Sequence, residues 1–358
     1  MHNGYLSPQQ RAWLQQRRQS WLWRSELPTW LLIGVIYSGW FSVMLNWQTL
    51  GRLPATLLLI GFTAWYMSLQ HELIHGHPTR WPRLNQLFGT LPLAVWFPYG
   101  LYRDSHLAHH RNHTLTEPDE DPETYYFSAA RWAQLPRWQQ QLIHLRNTFA
   151  GRLLLGPLLD VAATFGAMVQ ALRRFDRPAL AMWLLHGTLL ALLFHWMAQQ
   201  GFSPLWYLLA VSYPALALTK VRSFYEHRAA DDPLARSVNN EAALPWRILF
   251  LNLNYHSVHH DLPGVPWYGL RRLYLRDRDG YYQRNHGFRV AGYRVWLRQF
   301  WARPIGVNAH PGRSAEKTDE QPARPADVCP LPARRAGADS GDCCPAGAAR
   351  HNGPAGLA

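Results

Sequence analysis

Cysteine is scarce in this chain and confined to one end of it. The sequence has 3 cysteines among 358 residues, at Cys329, Cys343 and Cys344, and they form no Cys-x-x-Cys pair. This pattern excludes an iron–sulfur domain and a disulfide framework. Aromatic residues are likewise absent after Trp301, and Ala, Pro, Gly and Arg dominate from residue 304 onwards. We therefore expect residues 304–358 to form a disordered tail.

Charged residues are missing from three long apolar stretches. Residues 27–51, 53–71 and 178–219 contain no Asp, Glu, Lys or Arg. Each stretch reaches or approaches the ~20 apolar residues that cross a hydrocarbon core. The third stretch is long enough for two spans and is interrupted by Gly-Phe-Ser-Pro at residues 201–204. The pattern predicts four transmembrane helices in two hairpins.

Buried helices of a large soluble protein are the alternative explanation for these stretches. Tryptophan near their ends favours the membrane, because tryptophan is enriched at membrane–water interfaces. The tryptophans concerned are Trp30, Trp40, Trp47, Trp183, Trp196 and Trp206. We therefore predict an all-α integral membrane protein whose cytoplasmic segments form a helical cap.

Arginine determines the predicted orientation of the chain. The formal net charge is +13, and only Arg52 lies in the short links of the two hairpins. The positive-inside rule places both termini and both long segments in the cytoplasm, as in a bacterial inner membrane. The positive charge then reflects topology and anionic lipids, because no nucleic-acid-binding motif accompanies it.

The chain divides into three predicted parts. Residues 1–26 are expected to form an amphipathic segment that places Trp13, Leu14, Trp21 and Leu22 at the membrane interface. Residues 27–303 form the membrane domain. The tail defined above follows it.

Histidine is concentrated in three short clusters. His71 and His75 lie in HELIH, residues 102–114 read YRDSHLAHHRNHT, and residues 254–260 read NYHSVHH. Residues three and four apart on a helix share a face, so each cluster can present its imidazoles to one point. The predicted topology places all three clusters at the cytoplasmic ends of the spans. Imidazole suits zinc, copper, iron and nickel, and so many histidines exceed the four ligands of a structural zinc site. The clusters therefore predict a polynuclear metal site.

The clusters resemble the three histidine boxes, HxxxH, HxxHH and HxxHH, of the membrane fatty acid desaturase and hydroxylase superfamily. The resemblance covers roughly residues 27–300, and a further family ligand matches His227 in RSFYEHR. It implies two iron ions that activate O₂ against a C–H bond of a lipid or fatty acid. It also implies an external electron donor, such as ferredoxin with its reductase. The implied iron ligands are His71, His75, His106, His109, His110, His227, His256, His259 and His260.

Polar side chains beside the boxes are candidates for two further roles. Carboxylates and amides can orient metal-bound imidazoles, and arginine binds a substrate carboxylate bidentately. The candidates for orienting imidazoles are Glu72, Asp104, Asn112, Glu226, Asn252, Asn254 and Asp261. The candidates for binding a carboxylate are Arg103, Arg111, Arg222 and Arg228. The alternative for each of these residues is an ordinary structural role, as a helix cap, a surface residue or an arginine at the cytoplasmic membrane face.

Three functions are compatible with the sequence. The first is an O₂-dependent di-iron oxidase that forms a carbon–carbon double bond in a fatty acyl chain or free fatty acid. It would act by desaturation or by oxidative decarboxylation to a terminal alkene; the HGHPT sequence at residues 75–79 is similar to bacterial oxidases of the latter kind. The second is a hydroxylase or ketolase of a carotenoid or another lipophilic molecule, whose third box is similar. The third is a non-enzymatic membrane metal-binding protein, for which the spans offer only His186 and His195 as polar ligands.

Overall fold

Helices make up most of the structure. The computed structural model describes residues 6–110, 114–118, 120–307 and 310. The first helices are α1 (Pro8–Gln19), α2 (Trp21–Ser25), α3 (Leu27–Leu45), α4 (Trp47–Leu50), α5 (Arg52–Ile74), α6 (Pro82–Thr90), α7 (Tyr99–His109), α8 (Ala129–Gln134), α9 (Arg137–Arg146) and α10 (Phe149–Leu154). They are followed by α11 (Gly156–Arg173), α12 (Arg177–Gln199), α13 (Pro204–Trp206), a π-helix (Tyr207–Ser212), α14 (Tyr213–Arg222), a 3₁₀ helix (Pro233–Arg236), α15 (Leu244–Leu249), α16 (His256–Asp261), α17 (Trp267–Tyr274), α18 (Arg278–Arg284) and α19 (Tyr293–Phe300). The strands β1 (Asn239–Asn240) and β2 (Arg289–Val290) pair in parallel.

Three of these helices, α3, α5 and α12, are long and apolar enough to cross a membrane. They contain 19, 23 and 23 residues, with a mean hydropathy between 1.2 and 1.5. At 1.5 Å per residue the longer two extend about 35 Å, which exceeds the ~30 Å of a hydrocarbon core. Only 17% of the most apolar part of α12 is buried by protein, so most of that helix can contact lipid. The chain is a helical membrane protein.

Helices α3 and α5 pack directly against each other. A Cβ on Gly39 would lie 2.2 Å from the Cζ atom of Phe62, so the absence of a side chain permits the close approach. Trp40 on α3 is fully buried, and its indole N–H donates to the hydroxyl of Tyr207 at 3.1 Å. Thr63 on α5 hydrogen-bonds to the same hydroxyl at 3.1 Å, so apolar contact and two buried hydrogen bonds join these two helices to the π-helix.

The region predicted to form the fourth span is helical but not a single α-helix. Residues 204–222 run without interruption through α13, the π-helix and α14. Pro214, the second residue of α14, has no N–H with which to continue an α-helical hydrogen-bond pattern. A local π-helical turn is a common response to such a break. The described residues therefore contain three uninterrupted spanning helices, and the fourth span stays a prediction.

An irregular segment between α6 and α7 lies inside the protein. Three side chains from other elements donate to three successive carbonyl groups of this segment. The Tyr207 hydroxyl binds the Leu93 carbonyl at 2.7 Å, the Ser212 hydroxyl binds that of Ala94 at 2.8 Å, and His186 Nε2 binds that of Val95 at 2.8 Å. Non-helical backbone at membrane depth needs partners of this kind, because lipid supplies none. His186 therefore has a structural partner away from the histidine boxes.

The amphipathic helix α1 packs on protein. Trp13 and Leu14 are buried among side chains that include Leu273, and Gln10 donates to the Leu273 carbonyl at 3.3 Å. The sequence assigned Trp13 and Leu14 to the membrane interface, whereas the structure places them against α17. Trp21, by contrast, is 68% exposed and free to meet lipid. The predicted tail, apart from residues 304–307 and 310, lies outside the described residues.

Candidate metal centre

The histidine boxes lie at the ends of helices. The first box ends α5, where His71 occupies the last turn and His75 is the cap residue. The second box ends α7 in the same way, and the third box forms the short helix α16. His227 follows α14, where a backbone bridge to Ser237 holds it. Two helix ends, the short helix α16 and the loop that carries His227 therefore place all the imidazoles in the same region.

The first histidine group brings together all three boxes. Its ligand nitrogens lie within 4.8 Å of one another. The Nε2 atom of His106 is 3.1 Å from that of His75 and 3.0 Å from that of His110. The Nε2 atoms of His259 and His110 are 3.1 Å apart. The group consists of His71, His75, His106, His110 and His259.

The second histidine group combines the second and third boxes with His227. The Nε2 atom of His227 is 3.1 Å from that of His109 and 2.9 Å from that of His256. The Nε2 atoms of His260 and His256 are 3.1 Å apart. The group consists of His109, His227, His256 and His260.

Adjacent histidines divide between the two groups. His109 and His110 belong to different groups, and so do His259 and His260. Successive residues on a helix point about 100° apart, so a paired His-His can serve two neighbouring sites. The rings of His110 and His260 stack with centroids 4.3 Å apart, which places the groups side by side. The spacing of the boxes therefore produces a pair of adjacent sites.

The nitrogen positions fit metal ions. Ligand nitrogens about 2.1 Å from a metal and at right angles lie ~3.0 Å apart, and six Nε2–Nε2 separations within the groups are 2.9–3.1 Å. A neutral imidazole has one N–H, so several Nε2 atoms facing each other cannot all be satisfied by mutual hydrogen bonds. Both ring nitrogens of the buried His71 also lack a hydrogen-bond partner among the described residues. One cation in each group would satisfy these lone pairs, so the residues fit two metal ions.

Two carboxylates hold imidazoles from outside the groups. His109 donates through Nδ1 to Oδ1 of Asp121 at 2.7 Å, and His106 donates through Nδ1 to Oε1 of Glu123 at 3.3 Å. Asp121 also accepts from the backbone N–H groups of Thr116 at 2.8 Å and Glu123 at 2.9 Å. In the neutral imidazoles these bonds place the proton on Nδ1, so that the Nε2 atoms of His106 and His109, which face the groups, carry the free lone pair. Such partners orient metal ligands and raise their basicity.

Two further polar contacts brace the second histidine group. Ser237 Oγ lies 3.2 Å from Nδ1 of His227, and Glu226 Oε1 lies 3.5 Å from Nδ1 of His256. Burial raises the pKa of Glu226 to about 7, although the guanidinium of Arg222 at 2.9 Å opposes this shift. Burial would also raise the pKa of Glu123, but the neighbouring imidazoles, chiefly that of His106, lower it below its usual range. Glu123 is therefore ionised at neutral pH.

Asp121, Glu123 and Ser237 were absent from the sequence-based candidates. The available signal was the acidic run at residues 117–123, which begins seven residues after His110. Only a chain reversal between the second box and this run brings its carboxylates to the imidazoles. Thr116, with φ of 69°, lies at that reversal.

The structure places the sequence-based candidates for orienting imidazoles in different surroundings. Glu226 is close to an imidazole, as described. Glu72 and Asn252 instead bind the backbone N–H and carbonyl of Trp267 at 3.1 and 3.0 Å, and so fix the start of α17. Asn254 donates to the Asn240 carbonyl at 2.5 Å.

The remaining candidates of this kind are ion-paired or not described. Asp104 pairs with Arg103 at 2.8 Å, and its side chain is 63% exposed. Asp261 pairs with Arg284. Asn112 lies outside the described residues.

The arginines proposed to bind a substrate carboxylate also lie in different surroundings. Arg222 borders the cavity described below, where it pairs with Glu226. Arg228 donates to the carbonyls of Ala235 at 2.9 Å and Asn285 at 3.0 Å, which ties two loops together. Arg103 is the ion-pair partner of Asp104. Arg111 lies outside the described residues.

A cavity of about 490 Å³ adjoins both histidine groups. Its wall includes imidazoles of each group, among them His71 and His106 of the first and His109, His227 and His256 of the second. Apolar side chains from α5, α7, α11 and α14 line the rest of it, including Met67, Leu101, Val161, Ala163 and Leu216. This volume lies within the range of ~300–1,000 Å³ found for small-molecule sites. The histidine groups therefore face a cavity that can hold an apolar chain.

A family comparison agrees with this site. The model of the fatty acid desaturase family matches residues 46–292. The match spans more than half of the chain and includes every histidine of both groups. The chain belongs to the fatty acid desaturase family, and this membership indicates an oxidoreductase.

A curated relative from Arabidopsis thaliana is similar over a shorter region. It is the temperature-sensitive sn-2 acyl-lipid omega-3 desaturase (ferredoxin), chloroplastic, 29% identical over 111 residues. The aligned region covers 30% of this chain and 23% of that protein. The chain thus spans about a quarter of the length of the relative it matches.

Proposed function

We propose that this protein is an O₂-dependent di-iron oxidase that forms a carbon–carbon double bond in a fatty acyl chain or a free fatty acid. The observation that carries the proposal is the pair of histidine groups on the wall of one largely apolar cavity. Family membership supports the same class of reaction. The name of the plant relative, an acyl-lipid desaturase, supports a lipid substrate.

The nine histidines would hold the two iron ions, which supply O₂ activation when bound. The chain's own contribution is placement and charge. Asp121 and Glu123 keep the protons of His109 and His106 on Nδ1, so that Nε2 is the ligand atom. Six of the nine histidines are buried and three, His75, His110 and His227, are partly buried, so the groups are largely shielded from water. A dry site protects a reactive oxidant from side reactions.

The cavity would hold the acyl chain beside the histidine groups. Met67 lies one turn of α5 before His71, and Leu101 lies five residues before His106 on α7. The apolar part of the cavity wall therefore begins close to the imidazoles. The carbon that reaches the imidazoles determines the product. Removal of hydrogen from neighbouring mid-chain carbons gives an internal alkene. Removal of a hydrogen from the second carbon beyond the carboxyl group, with loss of that group from the first as carbon dioxide, gives a terminal alkene one carbon shorter.

The membrane arrangement is part of the proposal. We infer four spans in two hairpins, with residues 204–222 as the fourth, and both termini and the metal centre on the cytoplasmic side of an inner membrane. Residues 1–26, 27–303 and 304–358 would be the amphipathic, catalytic and tail parts. Ferredoxin, named with the plant relative, or a similar donor with its reductase would supply the electron pair that O₂ reduction to water needs in addition to the two hydrogens of the substrate.

Metal content and product analysis on one preparation test the proposal. Purified protein should contain iron, one ion for each histidine group, and should oxidise a fatty acid in the presence of O₂, reductase and ferredoxin. Gas chromatography distinguishes the products: a shortened terminal alkene indicates decarboxylation, and an unshortened unsaturated chain indicates desaturation. An oxygenated carotenoid or other oxygenated lipid would instead support the hydroxylase or ketolase alternative. Zinc without turnover would refute the oxidase and favour a metal-binding protein.

Single histidine variants connect the activity to the two groups. His110→Ala removes a ligand of the first group, and His260→Ala removes a ligand of the second. Each should lose bound iron and turnover while the protein still inserts into the membrane. His144→Ala is the matched control, because His144 stacks on Trp132 with centroids 5.1 Å apart and belongs to neither group. Wild-type turnover in His110→Ala or His260→Ala would refute the assignment.

A further inference from the structure

The cavity wall carries a cluster of charged side chains that the metal centre does not use. Arg146 on α9 and Lys220 on α14 both pair with Asp160 on α11, and the Arg146 Nη2 to Asp160 Oδ1 distance is 2.9 Å. All three residues border the same cavity as the histidine groups. Their side chains are no more than 26% exposed. The cluster is therefore largely shielded from water and open to whatever occupies the cavity.

Positive charge exceeds negative charge in this cluster. Arg152 lies next to it, 1% exposed, with its guanidinium carbon 3.9 Å from the centroid of the Tyr125 ring. Its Nη2 atom donates to the neutral amide of Asn147 at 2.8 Å, while Nε and Nη1 have no hydrogen-bond partner among the described residues. Arg146 and Lys220 pair with Asp160, and Arg152 is near enough to interact with it electrostatically, so three cations share this single carboxylate.

The other carboxylates on the cavity wall have their own partners. Asp121 and Glu123 bind imidazoles, and Glu226 pairs with Arg222 at 2.9 Å. They do not offset the positive charge around Asp160. A buried charge without a counterion is costly. An anion inside the cavity would reduce that cost.

Lysine occurs here and almost nowhere else. Lys220 is the only lysine in residues 1–316; Lys317 is the other one in the chain. A lysine ammonium carries three N–H donors on a flexible stem, so it can bind Asp160 and a second anion together. The hydroxyls of Thr164 and Thr219 also border the cavity beside these charges.

We propose that Lys220 and Arg146 bind the carboxylate of a free fatty acid, whose chain extends from this cluster along the apolar wall to the histidine groups. This inference rests on the proposed function, because it names the substrate's head group at the same site. The proposed residues differ from the arginines selected from sequence. Among the described residues, Arg222 is the one of those arginines that borders the cavity, and it pairs with a carboxylate of its own, Glu226, whereas Lys220 and Arg146 share Asp160. The residues involved come from α9 and α14, which the sequence did not connect.

Binding of matched ligands tests the head-group site without turnover. The probe is a fluorescent fatty acid bound to the purified full-length protein, displaced by palmitate or by hexadecanol, which has the same chain without the carboxylate. In Lys220→Met we expect palmitate to bind about tenfold more weakly, which corresponds to ~1.4 kcal/mol. Hexadecanol should bind as it does to the wild type. Lys220→Arg, which keeps the charge, should retain most of the preference for palmitate.

A second variant keeps the head-group site testable if Lys220→Met fails to fold. Arg146→Gln leaves the Lys220–Asp160 ion pair in place and should also weaken palmitate but not hexadecanol. Arg137→Gln is the matched control, because Arg137 starts the same helix and is exposed away from the cavity wall. It should bind both ligands normally.

Several outcomes would overturn the head-group site. One is an equal loss of palmitate and hexadecanol binding in both variants, which would indicate a structural role. Another is unchanged binding of both ligands. A third is a dependence on Lys220 for lysophosphatidate but not for palmitate, which would indicate a phosphate head group. Lys220-dependent palmitate binding without any oxidised product would refute the proposed reaction and leave the binding site intact.

Discussion

Asp121→Asn should remove one of two metal ions. Asp121 is 4% exposed and accepts three hydrogen bonds, from His109 Nδ1 at 2.7 Å and from the backbone N–H groups of Thr116 and Glu123. Asparagine has one acceptor oxygen where aspartate has two, and it places an NH₂ group against at least one of these donors. The variant therefore loses a charge-assisted bond to His109 and leaves a buried donor unpaired.

The size of the effect follows from these contacts. Loss of a partner that orients a metal-bound imidazole typically costs 10–100-fold in metal affinity, or about 1.4–2.8 kcal/mol. The unpaired buried donor costs about 1–3 kcal/mol of stability in addition. His109 belongs to the second histidine group only. We therefore expect the first group to keep its metal and the second to release its metal to a chelator.

Chelator competition followed by metal analysis measures this selectivity. Asp104→Asn is the control, because Asp104 precedes the second box by two residues yet pairs with Arg103 at the surface. It should behave as the wild type. Full retention of both metals in Asp121→Asn, or equal loss in both variants, would refute the role that the structure gives to Asp121.

Three other predictions follow from the same structure. Glu123→Gln should weaken metal binding by about tenfold in the first histidine group, measured by the same chelator competition, because it weakens the bond to His106. Gly39→Ala should destabilise the protein by about 1–3 kcal/mol in a thermal unfolding assay in detergent, because its Cβ would overlap an aromatic ring, whereas Gly34→Ala on the same helix has open space. Ala163→Phe should shorten the longest fatty acid that is oxidised, because Ala163 borders the cavity; Ala162→Phe, its neighbour off the cavity wall, should not. Unchanged chain-length preference in Ala163→Phe would contradict the placement of the acyl chain.

The membrane helices show how far composition predicts a fold. Absence of charge identified α3, α5 and α12, because crossing a hydrocarbon core imposes a length and a polarity that a sequence displays directly. The π-helix before Pro214 was not predictable in that way, since it depends on a local hydrogen-bond adjustment. The side chains that satisfy the carbonyls of the irregular segment after α6 also come from distant helices. Composition therefore predicts spans better than it predicts their internal form.

The histidine groups were anticipated because their spacing is local. Three and four residues on a helix fix a shared face, and all the histidines of the three boxes, with His227, meet in the two groups. The spacing alone does not predict which histidine joins which group. That division depends on which member of each His-His pair faces which neighbour, and therefore on how α7 and α16 approach each other.

Adjacency in sequence was a poor guide to the side chains that hold the imidazoles, and helix geometry explains why. A residue next to a ligand on a helix points about 100° away from it, so it meets a different neighbour. Glu72 follows His71 and binds the backbone of Trp267; Asp261 follows His260 and pairs with Arg284. The two carboxylates that accept hydrogen bonds from Nδ1 atoms, Asp121 and Glu123, come from a loop that returns to the site after the second box. An acidic run after a histidine box is therefore a better source of candidates than the residue beside the histidine.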